Sequence, residues 1–187
     1  MCENKPLKNV FTFKYLGTLF TADGLHSYDI KAKIARAYER CGQLRKIFDS
    51  PALNIQLKLR IYIAGVCSLI TFGSETWNLS PRELRRLNNA NSVMLSRITG
   101  KSFQEEARAC STSFNLVRSI RRRRLKWLGQ ILRKGESSMA YQAILDQRMM
   151  NRPGNLTMDA PPHSSMTELE NLAKDKALWT TYVLRIR

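Results

Sequence analysis

Arg121 to Arg124, four arginines in a row, stand inside Arg118-Ser119-Ile120-Arg121-Arg122-Arg123-Arg124-Leu125-Lys126-Trp127-Leu128-Gly129-Gln130-Ile131-Leu132-Arg133-Lys134, a stretch with no acidic residue. Val117, Ile120, Leu128 and Ile131 recur there at helical spacing, and successive helical residues turn by about 100°. Four consecutive cations then cover nearly the whole circumference, so they cannot all face water. Counted from the apolar stripe, Arg118, Arg122, Lys126 and Arg133 fall opposite it and form a stripe able to track phosphates. Arg121 lies at the border of the stripe, and Arg124 points into its middle. An unpaired buried guanidinium costs several kcal/mol, so Arg124 needs a carboxylate, helix-end carbonyls or a bound phosphate. The bland alternative is a helix that is loose and solvated at that point.

The rest of the chain is patterned as a mainly α fold with an N-terminal β-hairpin. Val10, Phe11, Phe13, Tyr15 and Leu16 make a strand-like run, Leu19-Phe20 begins a return path, and Thr21-Ala22-Asp23-Gly24 supplies turn chemistry. From Asp29 the period changes. Ile30, Ile34, Ala37, Tyr38, Cys41, Leu44 and Phe48 trace one face of a helix that runs to Ser50-Pro51, with Lys31, Lys33, Arg36, Arg40 and Lys46 opposite. Ile55 to Phe72 is apolar on most sides and is predicted to be a helix buried at the centre of a bundle, ending at Gly73-Ser74. Ser80-Pro81-Arg82-Glu83 is a capping box with proline at the first helical position, and its helix runs to Gly100. A basic helix from about Ser113 to Lys134 follows, then a shorter one around Met139 to Leu145. Residues 148 to 164, with Pro153-Gly154 and Pro161-Pro162, read as a linker, and Ser165-Met166-Thr167-Glu168 opens one last helix.

Charge narrows the function. The chain carries 31 Lys+Arg against 15 Asp+Glu, a net charge of +16, and such a surface attracts polyanions, of which nucleic acid is the commonest. A basic membrane-surface protein is the bland alternative. No apolar run is long enough for a membrane span and no secretory signal follows the N-terminal charges, so an intracellular protein, nuclear or cytoplasmic, with reduced thiols is expected. Cys2, Cys41, Cys67 and Cys110 are scattered, with only His26 and His163 as companions, so neither a zinc site nor a disulfide framework is supported. Trp77, Trp127 and Trp179 are read as core residues rather than base-stacking platforms. Metal-dependent phosphoryl transfer needs paired carboxylates, and Asp23, Asp29, Asp49, Asp146, Asp159 and Asp175 stand far apart; Asp23-Gly24 reads as a turn and Asp29 as a helix start. No glycine-rich phosphate loop and no histidine-activated nucleophile is evident, so no catalytic, metal or cofactor residue and no small-molecule substrate is assigned.

Four blocks in order resemble a known family. Phe13-Lys14-Tyr15-Leu16-Gly17 with Thr21-Ala22-Asp23-Gly24, then Lys58-Leu59-Arg60-Ile61-Tyr62, then Phe72-Gly73-Ser74-Glu75-Thr76-Trp77, then Ile120-Arg121-Arg122-Arg123-Arg124-Leu125-Lys126-Trp127-Leu128-Gly129 are similar to segments that follow the catalytic core in LINE-type, non-LTR retrotransposon reverse transcriptases of the RTE/CR1 kind. Ala173-Lys174-Asp175-Lys176-Ala177-Leu178-Trp179 weakly resembles a terminal block of the same family. The likeness is close over residues 10 to 134 and loose over 135 to 187.

The resemblance implies a palm-end hairpin remnant over residues 1–28, a thumb-like helical bundle over 29–112, a basic helical region over 113–147, a linker over 148–166 and a C-terminal helix over 167–187. It places Lys14, Tyr15 and Gly17 near a primer strand. The basic faces carrying Lys33, Arg36 and Arg40, and Arg118, Arg121, Arg122, Arg124, Lys126 and Arg133, would then lie along nucleic-acid backbone, RNA–DNA hybrid or RNA. The family's catalytic aspartates, which serve a magnesium-dependent polymerase, precede the Y-L-G block, and its endonuclease domain has no counterpart here. A truncated or decayed copy, or a fragmentary gene model, inactive as a polymerase alone, is the expected reading. Two alternatives are a helical protein-interaction module and a remnant without function. Having lost the palm sheet, the hairpin over residues 1 to 28 is expected to be the least stable part.

Overall fold

The computed structural model describes residues 9–101, 105, 114–149, 159 and 165–185, and most of the expected linker lies outside them. The fold is mainly helical behind an N-terminal antiparallel hairpin of β1 (Thr12–Tyr15) and β2 (Thr18–Thr21), with Tyr15 opposite Thr18. The chain reverses at Leu16-Gly17, not at Thr21–Gly24 as the sequence suggested. Both turn residues have positive φ, 46° and 84°, the backbone that two-residue hairpin loops use. Leucine is an unusual first residue for such a loop, which is why the Asp23-Gly24 signal was the more visible one. That second turn instead links β2 to the first helix, and the Asp23 carboxylate accepts hydrogen bonds from the Leu25 N–H and the Thr21 hydroxyl.

Helix α1 (Ser27–Gln43) buries Ile30, Ile34, Ala37 and Cys41. The single helix expected through Phe48 breaks at Leu44, and a short α2 (Arg45–Asp49) turns Phe48 back into the core. The Ile55–Phe72 segment is helical but neither regular nor enclosed. Helix α3 (Ile55–Tyr62) passes through a π-helical turn (Ile63–Cys67) into α4 (Ser68–Thr71). Tyr62, Val66, Cys67 and Ile70 face inward, whereas Ile55, Leu57, Ile63, Leu69 and Phe72 are exposed. A 3-10 turn (Ser74–Thr76) leads to α5 (Pro81–Thr99), which has the full capping box: the Ser80 hydroxyl accepts from the Glu83 N–H, and the Glu83 carboxylate accepts from the Ser80 N–H.

Helix α6 (Leu116–Lys134) is opened by the Asn115 side chain, which accepts from the Arg118 N–H at 2.9 Å. It feeds two cores. Leu116, Val117 and Ile120 complete the first, with α1, α5 and the Tyr62–Ile70 segment; Leu125, Leu128, Ile131 and Leu132 build the second, with α7 (Met139–Met149), α8 (Met166–Lys174) and α9 (Lys176–Arg185). The last helix is thus two helices. Asp175 separates them because its carboxylate accepts from the Ala177 and Leu178 N–H groups, an N-cap that restarts the chain in a new direction. Among the described residues, no helix is long and apolar enough to cross a membrane.

Gly129 lets the second core close: the Trp179 ring packs against it, with Nε1 donating to the Leu125 carbonyl at 2.9 Å, and a Cβ at 129 would overlap that ring. Gly129→Ala therefore forces the α6–α9 contact apart and is expected to destabilise the protein by about 1–3 kcal/mol, read as a lower midpoint in urea denaturation.

Candidate nucleic-acid interface

Asp29 occupies the first turn of α1, and its side chain is buried with that of Lys33, one helical turn later. One carboxylate oxygen accepts from the Leu19 N–H of β2 at 3.0 Å; the other accepts from the Trp77 indole at 2.8 Å and pairs with Lys33 Nζ at 3.0 Å. Lys33 also donates to the Phe72 carbonyl at 2.6 Å, and its ammonium lies 5.0 Å from the Trp77 ring centroid. Every donor of the ammonium is thereby directed into protein. Lys33, expected on a phosphate-facing surface, is an internal cation, and Asp29, expected to do no more than start a helix, is its counter-ion and the anchor of the hairpin.

The arginine run is divided: Arg124 is buried, Arg121 and Arg122 are half-buried, and Arg123 is exposed. Arg124 is 2 % exposed, with Nε 2.7 Å from the Asp159 carboxylate and Nη1 bonded to the Trp77 carbonyl. Two of the three partner classes foreseen from the sequence, a carboxylate and a helix-end type carbonyl, are therefore met together, and Arg124 is withdrawn from any ligand. Burial pushes the Asp159 carboxyl up from its usual range, while Arg124 and Arg121 pull it back down. Arg121 stands 3.6 Å from the same carboxylate, and Arg123 pairs with Glu75 at 2.9 Å. On the side of α6 expected to face solvent, Lys126 and Arg133 are exposed and Arg118 and Arg122 are half-buried, and two of these arginines reach back to α8 and α9. Arg122 donates to the Leu184 carbonyl at 2.6 Å and Arg133 to the Ala173 carbonyl at 2.9 Å, each in the last turn of a helix where carbonyls lack partners. Arg118 is half-buried; Lys126 is exposed beside a half-buried Trp127.

On the hairpin, Lys14 and Tyr15 are exposed, Tyr15 stacking on Phe13 with centroids 6.4 Å apart, and Gly17 sits against Phe72. Arg36 and Arg40 are exposed on α1, where Arg40 bonds the Gln43 side chain at 3.0 Å. The sites expected from the sequence are therefore spread over three surfaces.

A cationic surface that the sequence reading passed over lies between α1 and α5. Lys31, Arg82, Arg85 and Arg86 line an open groove of about 630 Å³ together with Ile34, Ala35, Tyr38, Asn89, Ala90 and Val93, and among the described residues no carboxylate lines it. Among the described residues, none of these four cations is in an ion pair. The signal was present in Arg82-x-x-Arg85-Arg86, whose spacing places all three on one face of the capped helix.

Cys41 and Cys67 are free and buried, and burial pushes the Cys67 thiol up to about 12, far from nucleophilic use. Cys2 and Cys110 lie outside the described residues.

Because Lys33 has no route to water, removing its counter-ion strands a buried charge. Asp29→Asn is expected to cost about 3–5 kcal/mol in chemical denaturation, and Asp29→Asn/Lys33→Met to recover a measurable part of that loss. Comparisons of the chain with protein-family models, with curated proteins and with solved structures find no match.

Proposed function

We propose that this chain is a thumb-region piece of a retrotransposon reverse transcriptase, without the polymerase site, which grips nucleic-acid backbone independently of sequence. The observation that carries the reading is the quantity of cation left over after the internal partners are counted. Arg124, Lys33 and the helix-end arginines are taken up by the protein, yet Lys31, Arg36, Arg82, Arg85, Lys126 and Lys134 remain exposed, on a chain of net charge +16. Phosphate neutralisation by such residues releases counterions and needs no base contact. The order of the four sequence blocks supports the same origin, an RNA–DNA hybrid or RNA as partner, and an intracellular setting. Any magnesium would belong to the parent polymerase and not to these residues.

A second reading is favoured by the hairpin. Phe11, Phe13, Tyr15, Leu16 and Phe20 are exposed on a two-stranded sheet, and the turn rests on an exposed Phe72. A chain that turns so many aromatic rings to one side is suited to packing against another protein body, as a palm-end hairpin would.

Binding of a labelled RNA–DNA hybrid, followed by anisotropy over a salt series, tests the main reading. Affinity is expected to fall by roughly 10²-fold or more between 50 and 200 mM salt if several phosphates are contacted. Binding that does not respond to salt would contradict it.

A further inference from the structure

We propose that the groove between α1 and α5, not the arginine run of α6, is the seat of the phosphodiester backbone. The inference rests on the reading that the chain binds nucleic acid, and it concerns where. In α6, the cations with the strongest sequence signal have internal tasks: Arg124 and Arg121 face Asp159, Arg123 faces Glu75, and Arg122 and Arg133 satisfy the carbonyl ends of α9 and α8. Swinging Arg122, Arg123, Arg124 or Arg133 to a phosphate would leave a carboxylate or a helix end without its partner, which subtracts from what the new contact gains. The groove cations carry no such cost. Arg82 and Arg85 are exposed, Arg86 is half-buried, and Lys31 faces them from α1.

Geometry supports an elongated anion rather than a single ion. Arg82 and Arg86 are separated by one turn of α5, about 6 Å along its axis, with Asn89 continuing the row by a further turn. Guanidinium forks held at that spacing suit successive phosphates, each of which accepts paired N–H bonds. Lys31 on the opposite wall adds a point charge, so an entering strand would meet cations from both sides. Pro81 and the Ser80–Glu83 capping box fix the first turn that carries Arg82, which limits the ordering cost on binding.

The other polyanion such charge could attract is an acidic amphipathic peptide, which seats apolar anchors in a groove. Ile34 and Ala90 are 8 % and 3 % exposed, while Ala35, Tyr38 and Val93 leave apolar surface on the floor. What the groove offers is an open apolar floor rimmed by four cations, and the cations spaced along α5 favour a repeating phosphate chain.

The test compares three full-length proteins for anisotropy with a labelled RNA–DNA hybrid over a salt series: the unaltered chain, Arg82→Gln/Arg85→Gln/Arg86→Gln, and Lys126→Gln/Lys134→Gln. The α6 pair is exposed and has no internal bond in the described structure, so its loss reports on that surface alone. The groove variant is expected to bind at least tenfold more weakly, with the slope of log K against log salt reduced by about 2–3 (roughly 0.9 per contact), while the α6 variant changes less than about threefold. If the triple variant loses its helical circular dichroism, Arg82→Gln/Arg85→Gln carries the comparison. Weak binding by the α6 variant beside an unaffected groove variant overturns the inference and leaves the function reading standing. Absence of salt-dependent binding by the unaltered chain removes both. Poly-glutamate displacing the hybrid at equal charge concentration overturns the assignment to phosphodiester in favour of an acidic polypeptide.

Discussion

Trp77 stands between two buried charges, and the arrangement of the whole chain depends on the polar line that runs through it. Its indole donates to Asp29, which also holds the Leu19 N–H and Lys33; its carbonyl accepts from Arg124, which in turn meets Asp159. Hairpin, first core, arginine helix and Asp159 are thus connected by a line of buried and half-buried polar groups. Desolvating such ions costs several kcal/mol each, and their mutual attraction at best returns it, so the line is a weak source of net stability. Its effect is on position. A hairpin shifted along α1, or an α6 rotated about its axis, would leave a buried ion without a partner. The hairpin, expected to be loose for want of a palm sheet, is held on its β2 side, while β1 remains open.

Helix α6 is constrained by this line and by hydrophobic packing along its whole length. Its first turns complete one core and its last turns another, and the buried arc widens between Ile120 and Leu125, across the four arginines. The opposite side stays open: Arg123, Lys126, Gln130, Arg133 and Lys134 are exposed. Within the run, long guanidinium stems cover apolar surface while their heads reach carbonyls and carboxylates at the edges of both cores. Exposed cations without an ion pair among the described residues therefore stand on α1, on α5 and on the outer side of α6.

Much of this was legible in the residues. The Ser80 and Ser165 capping boxes, the helical period from Asp29, the buried tryptophans 77 and 179, and the need of Arg124 for a partner follow from spacing and the cost of burying charge. Other features were hidden by competing local chemistry. Leu16-Gly17 lacks the usual turn residue ahead of its glycine, so Asp23-Gly24 attracted the reversal. Asp175, inside the single C-terminal helix expected over 167–187, is an N-cap that divides it. A helical wheel puts Arg122 and Arg133 toward water, and Arg133 is exposed there; it cannot show that the two also reach helix-end carbonyls 62 and 40 positions away. Lys33 was misplaced for a related reason, since its partners Phe72 and Trp77 come from a distant turn. The α1–α5 groove was missed because its cations are interspersed with Glu83 and the apolar positions of a well-capped helix, a weaker pattern than an uninterrupted run.

The fold holds the Arg124 guanidinium as an internal cation, and chemical denaturation of Arg124→Met measures that hold. With the guanidinium gone, Asp159 and the Trp77 carbonyl lose their buried partner, and a loss of about 3–5 kcal/mol is expected. A midpoint unchanged from that of the original chain would contradict it, since Arg124 would then be no more than another surface cation.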